Sequence, residues 1–228
     1  MKKLLIAALM LFGYISSVNA AGVNIGLSFT GGVFDVDGAA EKFSGAHSSS
    51  ASPGNVVKKA SDEGDEAEGL FGIGSIFIEK TLTDRLAVGL DFVPHSMDTE
   101  TTENTQKTTT SSATGTNTVQ VDFEDLTTIY ATLALNDNLY AKVGHVSVDV
   151  ITNESLATGG SYGDTDLDGY TLALGYNRDL DTGAFLRFEA SYMDLDGATL
   201  TNTADSTKSV TADGITGYGA RLSVGRSF

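Results

Sequence analysis

The most regular stretches of this sequence contain seven side chains that could form ion pairs or exchange protons with one another. They are three carboxylates, three cations and one phenol: Glu79, Asp91, Tyr130, Lys142, Arg187, Glu189 and Arg221. A charge taken out of water must be paired, because an isolated buried charge is strongly unfavourable. If these side chains share one interior, they predict a buried charge network, in which Arg221 is expected to face Glu189 on a neighbouring strand.

The stretches that carry these residues have a period of two. In the last one, Tyr218, Leu222 and Val224 alternate with glycines, serines and Arg221. This period indicates β-strands with one apolar face and one polar face. The seven side chains are predicted to lie on the polar face. Glu79 is assigned to that face although its stretch, 69–82, is apolar on both faces. Eight strands are predicted, within residues 23–34, 69–82, 85–94, 118–135, 139–151, 167–177, 184–194 and 213–228.

The connections between these strands alternate in length. Short polar turns at 83–84, 136–138 and 178–183 alternate with long Gly/Ser/Thr-rich stretches at 38–68, 96–118, 152–166 and 195–213. Short turns at one end and long loops at the other are typical of an outer-membrane β-barrel, with its apolar face toward lipid and its polar face toward the lumen. The predicted fold is therefore all-β, an eight-stranded antiparallel up-and-down transmembrane barrel with short periplasmic turns and long extracellular loops.

Two other architectures were considered. A soluble β-sandwich also has short strands with turns between them, but with these phases it would expose its aliphatic face or bury its arginines. A ten-stranded barrel would need a further hairpin around Val56 and Val57, for which no second partner strand is evident.

The phase of two predicted strands, 69–82 and 139–151, is left open, whereas 118–135 has a definite predicted phase. In 118–135, the apolar set Val119, Val121 and Phe123 is predicted to face lipid together with Ile129 and the apolar residues that follow it. In 139–151, the first apolar residues are predicted to face lipid, whereas the later valines fall on the opposite phase. A bulge, or a strand end that stands clear of the bilayer, would explain that change.

The N-terminus and the composition indicate export. Two lysines precede an apolar run from Leu4 to Ile15, and small residues end at Ala20, which is the pattern of a cleaved signal peptide over 1–20. The run is shorter than the roughly 20 residues of a membrane-spanning helix. The barrel would then occupy 21–228. The chain has no cysteine and a net charge of −16, which disfavours disulfides, lipidation and nonspecific nucleic-acid binding.

The chain resembles small outer-membrane barrels of the OmpA membrane-domain, OmpX and opacity-protein type. The resemblance rests on the predicted signal peptide, the eight alternating strands and the terminal GARLSVGRSF. The resemblance implies a monomer in the outer membrane of a Gram-negative bacterium, in contact with lipid and lipopolysaccharide. It also implies that Phe228 is a signal for the outer-membrane assembly machinery. A non-enzymatic structural or surface-interaction role is expected, with a lumen filled by side chains. The alternative is a narrow porin-like channel for small solutes or ions.

A D-x-D-G pattern occurs three times where strands meet long connections. Alternate aspartates before a glycine open a calcium loop, although Asp and Gly also commonly end strands. Weak surface calcium is the only cofactor considered, at Asp35, Asp37, Asp166, Asp168, Asp194 and Asp196.

The sequence His145-Val146-Ser147 resembles the His-x-Ser pair of outer-membrane lipid A deacylases. Two residues apart on a strand, both side chains share a face, as a serine nucleophile with a histidine base requires. No carboxylate partner for His145 is identifiable from the sequence. A lipid hydrolase is therefore a third and more distant function.

Overall fold

A computed structural model describes residues 22–44, 58–59, 65–107, 114–180 and 182–228. The predicted signal peptide and the Val56-Val57 pair lie outside these ranges. Within them, no helix is long and apolar enough to cross a membrane. The strands are β1 (Gly22–Phe43), β2 (Lys58–Lys59), β3 (Asp65–Thr81), β4 (Leu86–Phe92), β5 (Met97–Asp98), β6 (Thr102–Lys107), β7 (Thr114–Ala134), β8 (Leu139–Leu156), β9 (Thr165–Asp179), β10 (Ala184–Thr201) and β11 (Lys208–Ser227).

Eight of these strands close into one antiparallel barrel. Their order around it is β1, β3, β4, β7, β8, β9, β10 and β11, and β11 pairs back onto β1. At the seam, the Val23 and Phe228 backbones exchange two N–H···O bonds of 3.1 and 2.9 Å. β2, β5 and β6 are short additions to β1 and β7. The prediction of an eight-stranded up-and-down barrel is confirmed.

The strands are staggered by ten residues around the barrel. A row of paired residues that starts at Gly26 on β1 returns to β1 at Val36, after crossing Phe77, Asp91, Thr128, Val146, Gly169, Leu195 and Ile215. Such a shear tilts the strands by about 35–45° in a barrel of this size. An eight-stranded barrel has an interior just wide enough to be filled by side chains.

A band of exposed apolar side chains surrounds the half of the barrel nearest the short turns. The apolar phase of β1 faces outward at Ile25, Leu27 and Phe29, while Asn24, Ser28 and Thr30 are buried inside. The band continues through Ile129, Leu133, Val143, Leu172, Leu174, Phe188, Leu222 and Val224. An apolar outer band on a closed barrel is the lipid-facing surface of a bacterial outer-membrane protein. The predicted location is confirmed.

The opposite half of the barrel, here called the outer half, has the reverse polarity. Val148 and its neighbours on β8 point inward, whereas His145 and Asp149 on the same strand are exposed. These inward residues form the outer apolar core, consisting of Val93, Leu126, Val146, Val148, Val150, Leu167, Leu195 and Ile215. The pairing of β8 with β9 is unbroken through this region, so no bulge lies there. The strand end therefore stands clear of the bilayer and packs as in a water-exposed barrel.

The bulge lies on β7 instead. Its register with β8 shifts between Glu124 and Thr127, and Asp125 there has a φ of 52°. An extra residue in one strand reverses the faces of everything beyond it. Val121 and Phe123 therefore pack against the outer apolar core, and Val119 shares their phase. The prediction that these three residues face lipid is wrong.

The strands also run farther than predicted at the outer end. β10 and β11 remain paired to Thr201 and Ser209, within a stretch that the sequence pattern assigned to a connection. The residues there are polar on the outward side. They therefore lack the alternation of apolar and polar residues that predicts the other strands. The backbones of β10 and β11 remain hydrogen-bonded nonetheless, because each added residue extends an existing ladder.

Candidate functional site

The frame of the lumen consists of aromatic rings lying opposite glycines. Each ring projects inward and is paired directly with a glycine on the neighbouring strand, as in Phe77 with Gly26 and Tyr140 with Gly175. The same holds for Tyr130 with Gly89 and Phe185 with Gly225. A β-carbon at any of these four glycines would overlap the ring. The glycines thus make room for the rings, which fill the lumen around the charged residues.

Glu79 and Arg187 form the ion pair nearest the short-turn end. The Arg187 guanidinium donates to both carboxylate oxygens of Glu79, at 2.9 and 3.0 Å, and Asn24 Nδ2 donates to Oε1 at 2.8 Å. Glu79 is only 1% exposed. The guanidinium also lies over the rings of Phe185 and Tyr140, at 4.5 and 5.4 Å from their centroids. Two parallel bonds with stacked rings give a strong, well-oriented pair.

Glu189 is the centre of a second cluster. Lys142 Nζ lies 2.7 Å from its Oε2 atom, and the Tyr140 hydroxyl donates to Oε1 at 2.6 Å. The Lys142 ammonium also lies 4.8 Å from the centroid of the Tyr130 ring. Arg221 Nε is 3.8 Å from Oε2. Both Glu189 oxygens are therefore occupied.

Asp91 accepts a hydrogen bond from Arg221 Nη2 and one of 3.1 Å from Ser75 Oγ. Arg221 does face Glu189 across β10 and β11, as the sequence suggested. Its shorter contact is nevertheless to Asp91, which comes from the far side of the lumen.

The structure thus brings all seven predicted lumen residues into one interior. They are joined by Asn24, Ser75, Tyr140 and Asn177, four uncharged residues that are not among the predicted lumen residues. Tyr140 could have been found, since it precedes Lys142 by two residues on the same strand. These eleven residues are called the lumen network below. Its three carboxylates balance its three cations, so the network carries no net formal charge.

A cavity of about 70 Å³ lies between the lumen network and the outer half. Lys142, Glu189 and Arg221 line its polar side, whereas Leu126 and Val146 line its apolar side. The outer apolar core fills the barrel beyond this cavity. Two layers of different chemistry therefore obstruct the lumen in series.

Tyr162, in the connection between β8 and β9, bridges to the opposite wall at the outer end. Its hydroxyl donates to Glu41 Oε1 on β1 at 2.6 Å, and Glu154 Oε1 accepts from the Tyr162 and Gly163 backbone at 2.7 and 3.1 Å. Burial and the Glu41 carboxylate raise the pKa of Tyr162 above its ordinary value. The phenol therefore stays protonated, and remains a donor, to a higher pH than an ordinary tyrosine.

The aspartates considered for calcium lie on the outward face. Asp194 accepts from the Tyr192 and Tyr170 hydroxyls at 2.8 and 3.1 Å. Among the described residues, no group of three or more His, Asp or Glu side chains is arranged to hold a metal ion. Calcium binding at Asp35, Asp37, Asp166, Asp168, Asp194 and Asp196 stays a prediction.

Phe228 is exposed at the seam between β11 and β1. The Arg226 guanidinium lies 5.6 Å from the centroid of its ring. Its accessibility leaves it free to be read by another protein, and its role as an assembly signal stays a prediction.

The structure supplies a carboxylate for His145. His145 Nε2 lies 3.2 Å from Asp168 Oδ1, and both side chains are more than half exposed. Ser147 is paired directly with Asp168 across β8 and β9. The sequence alone does not reveal Asp168 as the partner of His145, because the two residues lie on different strands. No hydrogen bond joins His145 to Ser147 in the part of the chain that the structure describes.

No family model matches this chain, and no curated protein does. Solved structures with a similar backbone include OprG of Pseudomonas aeruginosa, an outer-membrane protein, at 14% identity and a TM-score of 0.46, covering 92% of this chain and 98% of that one. They also include Ail of Yersinia pestis, the attachment invasion locus protein, at 10% identity and a TM-score of 0.44, with 90% and 99% covered. OmpT of Escherichia coli, an outer-membrane protease, has 10% identity and a TM-score of 0.38, with 94% and 99% covered.

Proposed function

We propose that this outer-membrane barrel is closed to solutes and ions, is not an enzyme, and serves a structural or surface-interaction role. The observation that carries this proposal is the lumen network, in which the charged side chains are paired with one another within a frame of buried rings. The outer half then acts as a rigid stem that displays polar surface beyond the lipid band.

The closed lumen is the reason to prefer this role to that of a narrow channel. A permeating ion needs a continuous path of water or of unpaired polar groups. Here an ion would have to break bidentate and charge-assisted bonds, and then pass the outer apolar core, which offers it no polar partner. Because the network carries no net formal charge, it gives the lumen no net charge that would attract ions of one sign.

Planar-bilayer recordings on refolded protein test the closed lumen directly. We expect no steady conductance in 1 M KCl at moderate voltage, with only brief events from transient breaks in the network. An open porin refolded in the same lipid serves as the positive control. A steady, reproducible single-channel step would contradict the proposal and favour the channel.

We further propose the partners implied by this role. The apolar band would contact outer-membrane lipid and lipopolysaccharide, the protein would act as a monomer, and Phe228 would be recognised by the assembly machinery. The exposure of that band and of Phe228 supports these contacts.

The contact between His145 and Asp168 favours one second candidate, a lipid hydrolase acting at the outer surface. A serine nucleophile needs a histidine base that is itself oriented by a third group, and Asp168 is placed to orient His145. On the closed-barrel proposal, refolded protein in vesicles containing lipopolysaccharide releases no fatty acid above background. Release that is abolished in both His145→Ala and Ser147→Ala, but retained in His95→Ala, would establish the hydrolase instead.

A further inference from the structure

The wall of the barrel is incomplete along one strand in the outer half. β4 pairs with β3 only from Ile76 to Thr81. After Phe92 the chain leaves β3, and both β5 and β6 pair with β7 instead. Within the described ranges, the part of β3 from Asp65 to Ser75 is therefore laddered only to β1. This segment is called the open edge.

Backbone polar groups of the open edge point into the gap. The Gly74 N–H donates to His95 Nε2 at 3.2 Å, across the side from which β4 has departed. Since backbone groups alternate in direction along a strand, those of Leu70 and Gly72 point the same way. Neither has a ladder partner on that side among the described residues. Proteins usually block such edges with proline, lysine or a bulge, and 69–75 contains none of these.

A groove of about 490 Å³ lies on the outward face of the wall, over β1 and between β3 and β11. Val33, Leu70 and Tyr218 supply its apolar surface. Leu70 is 84% exposed. Gly72 is exposed as well, so a second chain could approach the backbone closely. β3 thus has unpaired backbone groups on the side of the gap, next to the exposed Leu70 side chain and opposite the groove. Free hydrogen-bonding groups beside apolar surface are the two requirements for strand addition.

Two carboxylates complete the groove. Asp35 on β1 and Glu68 on β3 are paired directly and both line it. Like charges placed opposite one another destabilise a sheet. In addition, Asp35 Oδ1 is buried without any hydrogen-bond partner in the described structure. A cation between the two carboxylates would relieve both costs.

We propose that the open edge binds an extended segment of a partner protein as an additional strand. The added strand bonds to the backbone of Leu70 and Gly72, lays an apolar side chain beside Leu70, and places a lysine or arginine against Glu68 and Asp35. A second copy of this chain fits less well, because its own edge would bring further glutamates toward the same carboxylates. This inference rests on the proposed surface role and specifies its partner.

The probe is a fluorescein-labelled synthetic peptide of sequence Thr-Val-Thr-Lys-Thr-Val-Thr-Val-Thr, titrated with refolded barrel in detergent micelles. Fluorescence anisotropy should show saturable binding. Gly72→Pro should weaken binding at least tenfold, because proline removes a free N–H from the edge. The Gly72 N–H points away from β1, so the β1–β3 ladder keeps its bonds. The same peptide N-methylated at alternate amides should not bind.

A charge exchange provides the matched control. Glu68→Lys should weaken the lysine peptide at least fivefold, and should improve binding of a peptide that carries glutamate in place of lysine. Circular dichroism and heat-modifiable gel migration of each variant establish that it folds.

The proposal is overturned by any of three results: no binding, equal binding to the Gly72→Pro variant, or equal binding of the methylated peptide. Dimers that disappear in Gly72→Pro would overturn it in favour of a second copy. Bilayer conductance is measured separately, so the closed lumen and the peptide site can fail independently.

Discussion

Arg187→Ala is expected to destabilise the folded barrel by about 3–5 kcal/mol, the cost typical of removing one partner from a buried ion pair. The substitution leaves the Glu79 carboxylate almost fully buried with only Asn24 to bond it. It also removes the guanidinium that lies over Phe185 and Tyr140. Urea unfolding in vesicles, followed by far-ultraviolet circular dichroism because the chain has no tryptophan, measures the loss.

Two variants serve as controls for Arg187→Ala. Arg226→Ala removes the same side chain from an exposed position and should change stability by less than about 0.5 kcal/mol. The double variant Arg187→Met with Glu79→Gln removes both charges and should recover most of the loss, because no unpaired ion remains. If Arg187→Ala and Arg226→Ala unfold at the same urea concentration, the lumen pair does not hold the barrel together.

Val148→Asp is expected to cost about 4 kcal/mol or more, in the range reserved for an unpaired charge or a broken core. Val148 is 1% exposed and pairs directly with Leu167 inside the outer apolar core. Neither residue offers a carboxylate a hydrogen bond. The loss of the folded form should be visible as loss of heat-modifiable gel migration at a lower urea concentration.

Ser155→Asp, on the same strand, is the matched control. It introduces the same side chain at an exposed position and should shift stability by no more than about 0.5 kcal/mol. The comparison tests the reversed polarity of the outer half. Were Val148 turned toward the outside there, the two aspartates would have similar effects.

The lipid-facing half of the fold could be predicted because its polarity alternates in a single sense. Leu222 and Val224 on one face, with Arg221 and Ser223 on the other, place the charged residues inside without further information. The same alternation placed Lys142, Arg187 and Glu189 correctly. Periodicity determines which face a side chain takes, as long as register and environment remain constant.

Two physical changes limited the prediction elsewhere. The outer half extends beyond the lipid-facing band. Its apolar residues, such as Val146, therefore face the inside, although the backbone pairing of β8 with β9 does not change. On β7, the bulge at Asp125 reverses the faces of Val121 and Phe123, and nothing in their spacing records it. The pairing of Arg221 with Asp91 also depends on distances across the lumen, which a one-dimensional pattern does not contain.

The four ring–glycine pairs have a consequence for how the strands find one another. Short turns join β3 to β4, β7 to β8 and β9 to β10, and a short turn sets the alignment of the strands it joins. The four pairs lie at the other sequential neighbours: β1 with β3, β4 with β7, β8 with β9, and β10 with β11. There the connections are longer, at residues 202–207 between β10 and β11 and 157–164 between β8 and β9, so they set the alignment less tightly than the short turns do. A slip of two residues between β1 and β3 would press Phe77 onto Asn24 or Ser28 instead of Gly26. The overlap would oppose closure of a misaligned barrel, so the ring–glycine fit favours the native alignment where the connections constrain it least.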